Sequence, residues 1–102
     1  MLMDNFKVIY RILRYLERAM DCDFPNMDSI SPEALGITQQ RWTALMAMLV
    51  HEKYIDGLAA KYFCDGAIII SGTFPRITLR GLEYLQESPL MKKYQEFGGH
   101  KK

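Results

Sequence analysis

Apolar residues in the first twenty positions recur at three- and four-residue steps, which is the spacing of one face of an α-helix. Asp4 or Asn5 can cap this helix, and the run to about Met20 contains neither Gly nor Pro. The predicted core seam consists of Phe6, Ile9, Leu13, Leu16 and Met20, with Val8, Ile12, Tyr15 and Ala19 beside it. The apolar arc therefore takes up about half of the helix circumference. We expect either a C-terminal helix or a second subunit to cover the additional stripe.

Two helices separated by a tight turn are predicted over residues 31–53. Ser31 is placed to cap the first helix, Pro32 fits its first position because no amide is needed there, and Gly36 supplies the left-handed residue that ends it. Thr38 is placed to cap the second, longer helix. The face of the second helix that we expect to be core carries Trp42, Leu45, Met46, Leu49 and the stem of Lys53.

From Tyr54 onward the pattern changes from a helical to a β period. The β-rich runs YIDGLAAKYF and AIIISGTF flank Asp65-Gly66, a dipeptide that suits a tight hairpin turn. Thr78 is placed to cap a further helix, and Ser88-Pro89 begins a last amphipathic helix. Three helices, a hairpin and two more helices are therefore expected.

This order of elements is the plan of a winged helix. The predicted fold is α+β: a winged helix-turn-helix with a helical core and a two- or three-stranded antiparallel wing. The chain has 102 residues, of which 49% are hydrophobic and 25% charged, and this composition is typical of one globular domain and excludes a disordered protein. We predict a single domain over residues 1–97 and a flexible C-terminal tail at 98–102.

The overall charge does not indicate a nucleic-acid-binding protein. Thirteen basic and twelve acidic residues give a net charge of +1, and the sequence pI of 7.8 lies below the value of about 9 that marks an obvious polyanion binder. The strongest local cluster is a stripe on the first helix formed by Lys7, Arg11, Arg14 and Arg18. This stripe is either a solvated helix face or a contact for phosphate or an acidic partner.

The predicted fold presents one helix and one hairpin side by side, a shape often used to grip duplex DNA. Gln39 and Gln40 can pair with adenine edges, and Arg41 can contact a guanine or a phosphate. Thr43 can contact a phosphate or a thymine methyl group. Lys61 and Arg76 complete the candidate set as phosphate contacts, although Asp65 at the hairpin tip would repel phosphates.

The alternative hypothesis is a module that binds a protein partner or forms a homodimer. The second face of the long helix presents Ala44, Ala47 and Met48, which offer no hydrogen bonds and suit packing against a protein. This hypothesis expects Val8, Tyr15 and Met48 to be exposed in a monomer. On the last helix, the apolar residues that either cover the first helix or form a dimer contact are Leu90, Tyr94 and Phe97.

No catalytic or cofactor site is predicted. His51 has Ala47 rather than a metal ligand one helical turn before it, and Cys22 and Cys64 have no zinc-site spacing. No nucleophile elbow or phosphate-cradling glycine loop occurs. The N-terminus lacks the features of a secretory signal, and no apolar run approaches the roughly 18 residues of a membrane span. We expect a cytoplasmic protein that is not an enzyme, needs no cofactor and does not enter a membrane.

The stretches GITQQRW, LVHEKYIDG and PRITLRGLEYLQES resemble the YjcQ-like proteins, which are small winged-helix domains from bacteria and their prophages. The resemblance extends over nearly the whole chain. It implies a winged helix-turn-helix fold and a DNA-binding or phage-related role, such as transcriptional regulation. It carries no catalytic or binding residues across to this chain.

Overall fold

The computed structural model describes residues 5–22, 26–72 and 74–99, with side chains as far as Tyr94. The helices are α1 (Asn5–Arg18), α2 (Pro32–Leu35), α3 (Gln39–His51), α4 (Leu79–Glu87) and α5 (Pro89–Gly99), with 3₁₀ turns at Ala19–Asp21 and Met27–Ile30. The strands are β1 (Ile55–Asp56), β2 (Ala59–Tyr62), β3 (Ile68–Ser71) and β4 (Arg76–Ile77). The α+β winged-helix prediction is confirmed. The tail predicted at 98–102 begins inside α5, and residues 100–102 lie outside the described part.

The helix boundaries are set by the side chains that the sequence indicated. Ser31 Oγ accepts a hydrogen bond from Ala34 N at 3.2 Å, and Gly36 ends α2 with a φ of 73°. Thr38 Oγ1 accepts from Arg41 N at 3.1 Å. Thr78 caps α4 in the same way. The three predicted caps are confirmed, and Gly36 together with the Thr38 cap limits the turn between α2 and α3 to a few residues.

The wing is one long hairpin whose ladder is interrupted part-way. Strands β2 and β3 pair antiparallel next to the turn, and β1 pairs with β4 nearer the helices. Between the two ladders, Gly57 lies close to Phe74 and Pro75 of the other arm, and Gly72 lies close to Gly57 and Leu58. Gly57 has a φ of 86°, and a Cβ there would overlap the carbonyl oxygen of Phe74. The arms can approach this closely only because that position has no side chain.

The core forms around α1, whose buried residues are Val8, Ile9, Ile12, Leu13 and Leu16. Helices α4 and α5 pack against α1, and Met91 of α5 is fully buried. A C-terminal helix and a second subunit were the two predicted ways to cover the wide apolar arc of α1. The structure shows that the C-terminal helices cover it. The expectation that Val8 is exposed is wrong, because Val8 belongs to the hydrophobic core and is only 3% accessible.

The ends of the predicted core seam also differ from the structure. Phe6 and Met20 are exposed, and Met20 lies in the 3₁₀ turn after α1, where the helical period no longer holds. Tyr15 is half-buried, and its hydroxyl accepts a hydrogen bond from Asn26 N at 2.7 Å. On α5, Leu90 is exposed and Tyr94 packs beside Tyr10 of α1, whereas the Phe97 side chain lies outside the described residues.

Candidate nucleic-acid interface

The first turn of α3 presents three consecutive exposed polar side chains: Gln39, Gln40 and Arg41. Thr43 follows as a half-buried residue, and Gln39 Nε2 donates to Thr43 Oγ1 at 3.3 Å. The helix is held from its opposite side, where Trp42 Nε1 donates to the carbonyl oxygen of Ile30 at 2.7 Å. These polar groups therefore stand on a helix whose other face is fixed in the core.

The start of α1 lies beside this turn. Arg41 Nη1 donates to Asn5 Oδ1 at 2.7 Å, across 36 positions of sequence. This contact takes one of the five N–H groups of the guanidinium. The N-terminal ends of α1 and α3 are therefore neighbours.

A second arginine of α1 reaches the turn between α2 and α3. Arg11 Nη2 donates to the Ala34 carbonyl at 3.0 Å and Nη1 to the Leu35 carbonyl at 3.4 Å. The Arg11 side chain therefore lies at the end of α2, and Arg41 lies at the start of α3, on the other side of the turn between them. Elsewhere on the predicted cationic stripe, Arg14 pairs with Glu17 at 2.7 Å. Arg11 and Arg14 of the stripe therefore make contacts within the fold.

The hairpin packs against α3 and forms an apolar groove with it. The groove has a volume of about 380 Å³ and is lined by Ala44, Ala47, Met48, His51, Glu52, Tyr62 and Ile68. Met48 is 58% exposed and Tyr62 61% exposed, whereas Ala47, which the helical pattern had placed on an open face, is buried. We call this feature the α3–hairpin groove.

Lys61 lies on the opposite face of the hairpin from the α3–hairpin groove. Successive side chains of a strand point to opposite faces. Because Tyr62 and its partner Ile68 face the groove, Lys61 and its partner Ile69 lie on the outer face of the hairpin. The candidate phosphate contact Lys61 is therefore on the face of the hairpin that points away from the α3–hairpin groove.

Arg76 lies near the other end of α1. Its guanidinium is 5.3 Å from the centre of the Phe74 ring, and it borders a cavity of about 210 Å³ with Ala19 and Met20. Arg41 contacts the first residue of α1, and a 14-residue helix is about 21 Å long. Of the six candidate DNA contacts, Gln39, Gln40, Arg41 and Thr43 lie together at the start of α3, Lys61 is on the outer face of the hairpin, and Arg76 is near the far end of α1.

The family model described as YjcQ protein matches residues 10–98, which include α2, α3, the hairpin and α4. The chain belongs to the YjcQ family. No curated protein and no solved structure shows significant similarity to it.

Sequence reasoning missed two contacts that organise the interface of this YjcQ-family chain: Asn5 with Arg41, and Arg11 with the end of α2. The sequence presents Arg11 only as a member of a charged stripe, and Asn5 only as a helix cap. Both contacts join residues more than twenty positions apart. No local pattern indicates such pairs.

Among the described residues away from the interface, Tyr84 has a shifted pKa. Burial raises the pKa of Tyr84 above 10.0, the stacked Tyr54 raises it further, and a hydrogen bond with Ser88 opposes the shift. The centres of the two tyrosine rings are 4.7 Å apart.

Within residues 5–22, 26–72 and 74–99, no three His, Cys, Asp or Glu side chains gather as a metal site. None of the helices described is long and apolar enough to span a bilayer.

Proposed function

We propose that this YjcQ-family chain is a non-enzymatic protein that binds double-stranded DNA through the first turn of α3. The observation that carries the proposal is the row of exposed Gln39, Gln40 and Arg41 at the start of the second helix of a helix-turn-helix. Such a turn is the part that enters the major groove, where glutamine amides pair with adenine and arginine with guanine or phosphate. The role proposed for it is transcriptional regulation, in line with the phage-related role that the resemblance implies.

The proposed contact uses the helix and not the wing. Lys61 is on the outer face of the hairpin, and Asp65 lies in its turn. The cations that flank the helix-turn-helix turn are Arg11 and Arg41. The logarithm of the binding constant falls with the logarithm of the salt concentration, with a slope of about −0.9 for each phosphate that is neutralised. Two arginines therefore predict a slope of about −2.

The test is a fluorescence-anisotropy titration of the protein with a random duplex at several salt concentrations. We expect binding that weakens with salt at a slope of about −2, and a slope about one unit smaller for Arg41→Ala. Lys61→Ala removes an exposed cation of the hairpin and serves as the matched control, with no change expected. Absence of binding at low salt, or equal losses in the two variants, would reject the proposal.

A second candidate function is self-association through the α3–hairpin groove. Its support is the exposure of Met48 and Tyr62, two large side chains at one groove, since such residues are enriched at protein interfaces. Light scattering over a concentration series tests it. A dimer that dissociates on Met48→Ser substitution is expected, and a monomer at every concentration would reject it.

A further inference from the structure

We infer that Asn5 is a positioning residue for Arg41, one that holds the guanidinium in place for its contact with DNA. The inference rests on the proposed function and extends it to a residue of α1. Its basis is the 2.7 Å hydrogen bond from Arg41 Nη1 to Asn5 Oδ1.

The contact can orient the Arg41 guanidinium without reducing its ability to bind DNA. An arginine side chain gives up about 2 kcal/mol of rotamer entropy when it is immobilised, and a side chain held before binding gives up less of it on binding. The Asn5 amide is neutral, so this bond does not cancel the positive charge of the guanidinium. One N–H group of five is used, and the guanidinium retains donors for a phosphate or a base.

The residue that holds Arg41 stands on a rigid support. Val8 and Ile9, one turn along α1, are in the hydrophobic core. Arg11, a turn further, binds the last carbonyls of α2. Helix α1 therefore contacts both helices of the helix-turn-helix, and Asn5 contacts the first turn of α3 at Arg41.

The inference predicts a coupling that a purely structural role would not produce. We expect Arg41→Ala to weaken binding to the random duplex by about tenfold. Asn5→Ala should weaken it by about threefold while leaving the salt slope unchanged, because the charge of Arg41 remains. In the Arg41→Ala background, Asn5→Ala should have no further effect.

The conservative variant Asn5→Asp separates orientation from charge. A carboxylate retains the acceptor but adds a negative charge beside the guanidinium, so we expect weaker binding with a salt slope about one unit smaller than that of the wild type. Thermal melts of every variant give the change in stability separately. Asn5 is partly exposed and Arg41 exposed, so all variants are expected to fold.

The experiment separates failure of this inference from failure of the proposed function. If the wild type binds DNA and Arg41→Ala weakens binding, but Asn5→Ala causes the same loss in both backgrounds, the positioning role is overturned and DNA binding stands. Tighter binding by Asn5→Ala would also overturn the role. If the wild type does not bind, or Arg41→Ala changes nothing, the proposed contact itself is wrong.

Discussion

Arg11 donates to Ala34 across 23 positions of sequence, with its Nη2 3.0 Å from the carbonyl oxygen at the end of α2. A four-residue helix leaves its last carbonyls without partners inside the helix, and a cation there satisfies them and opposes the partial negative charge of the helix end. The contact joins α1 to the turn that precedes α3, the helix proposed to contact DNA.

Replacing Arg11 with Ala should lower the free energy of unfolding by about 1 kcal/mol, because two charged hydrogen bonds are lost at a solvent-exposed site. Urea denaturation measures the change. Arg18→Ala is the matched control, since Arg18 is an exposed arginine of the same helix, and we expect it to change stability by less than about 0.5 kcal/mol. Equal effects of the two substitutions would show that the contact with α2 adds no stability.

Gly57→Ala should be far more destabilising than Gly36→Ala, although both glycines have a positive φ. At Gly36, a Cβ would have no described heavy atom within 4 Å beyond the adjoining residues, so only backbone strain of about 1 kcal/mol is expected. At Gly57 the added Cβ would overlap the Phe74 carbonyl, and we expect about 2 kcal/mol more. Urea denaturation of both variants gives the difference, and equal losses would contradict the close approach of the hairpin arms.

Local chemistry accounts for what the sequence predicted correctly. A cap bond joins residues three apart, so Ser31, Thr38 and Thr78 could be assigned before any packing was known. The face of Lys61 depends on which side of the hairpin packs on α3, and strand residues 59–62 include Ala, Lys and Tyr without a clear alternation. The pairing of Asn5 with Arg41 depends on the path of the whole chain between them.

Met91→Ala tests whether α5 belongs to the core. Met91 is fully buried, so its truncation should lower the free energy of unfolding by about 3 kcal/mol. The neighbouring Leu90 is exposed, and Leu90→Ala should cost less than about 1 kcal/mol. Chemical denaturation distinguishes the two, and a larger loss for Leu90→Ala would place the other face of α5 against α1.

Ionisation of Tyr84 should lower the free energy of unfolding at high pH. Burial and the stacked Tyr54 raise the pKa of Tyr84 in the folded chain, so the folded state keeps a proton that the unfolded state releases. The stabilisation is complete below the unfolded pKa of about 10 and is lost as the pH rises through the folded value. Denaturation at pH values from about 9 to 11 should therefore show a shallower fall in stability for Tyr84→Phe than for the wild type. Identical falls would contradict the shift.

The most direct test of the account is a ¹H–¹⁵N correlation NMR titration of the protein with duplex DNA, which reports on the backbone amides one by one. The account predicts that the largest chemical-shift changes occur at Gln39–Thr43 and at the neighbouring start of α1, with small changes at Lys61 and Arg76. Changes concentrated at Met48 and Tyr62 in the α3–hairpin groove, or an unchanged spectrum at low salt, would contradict it.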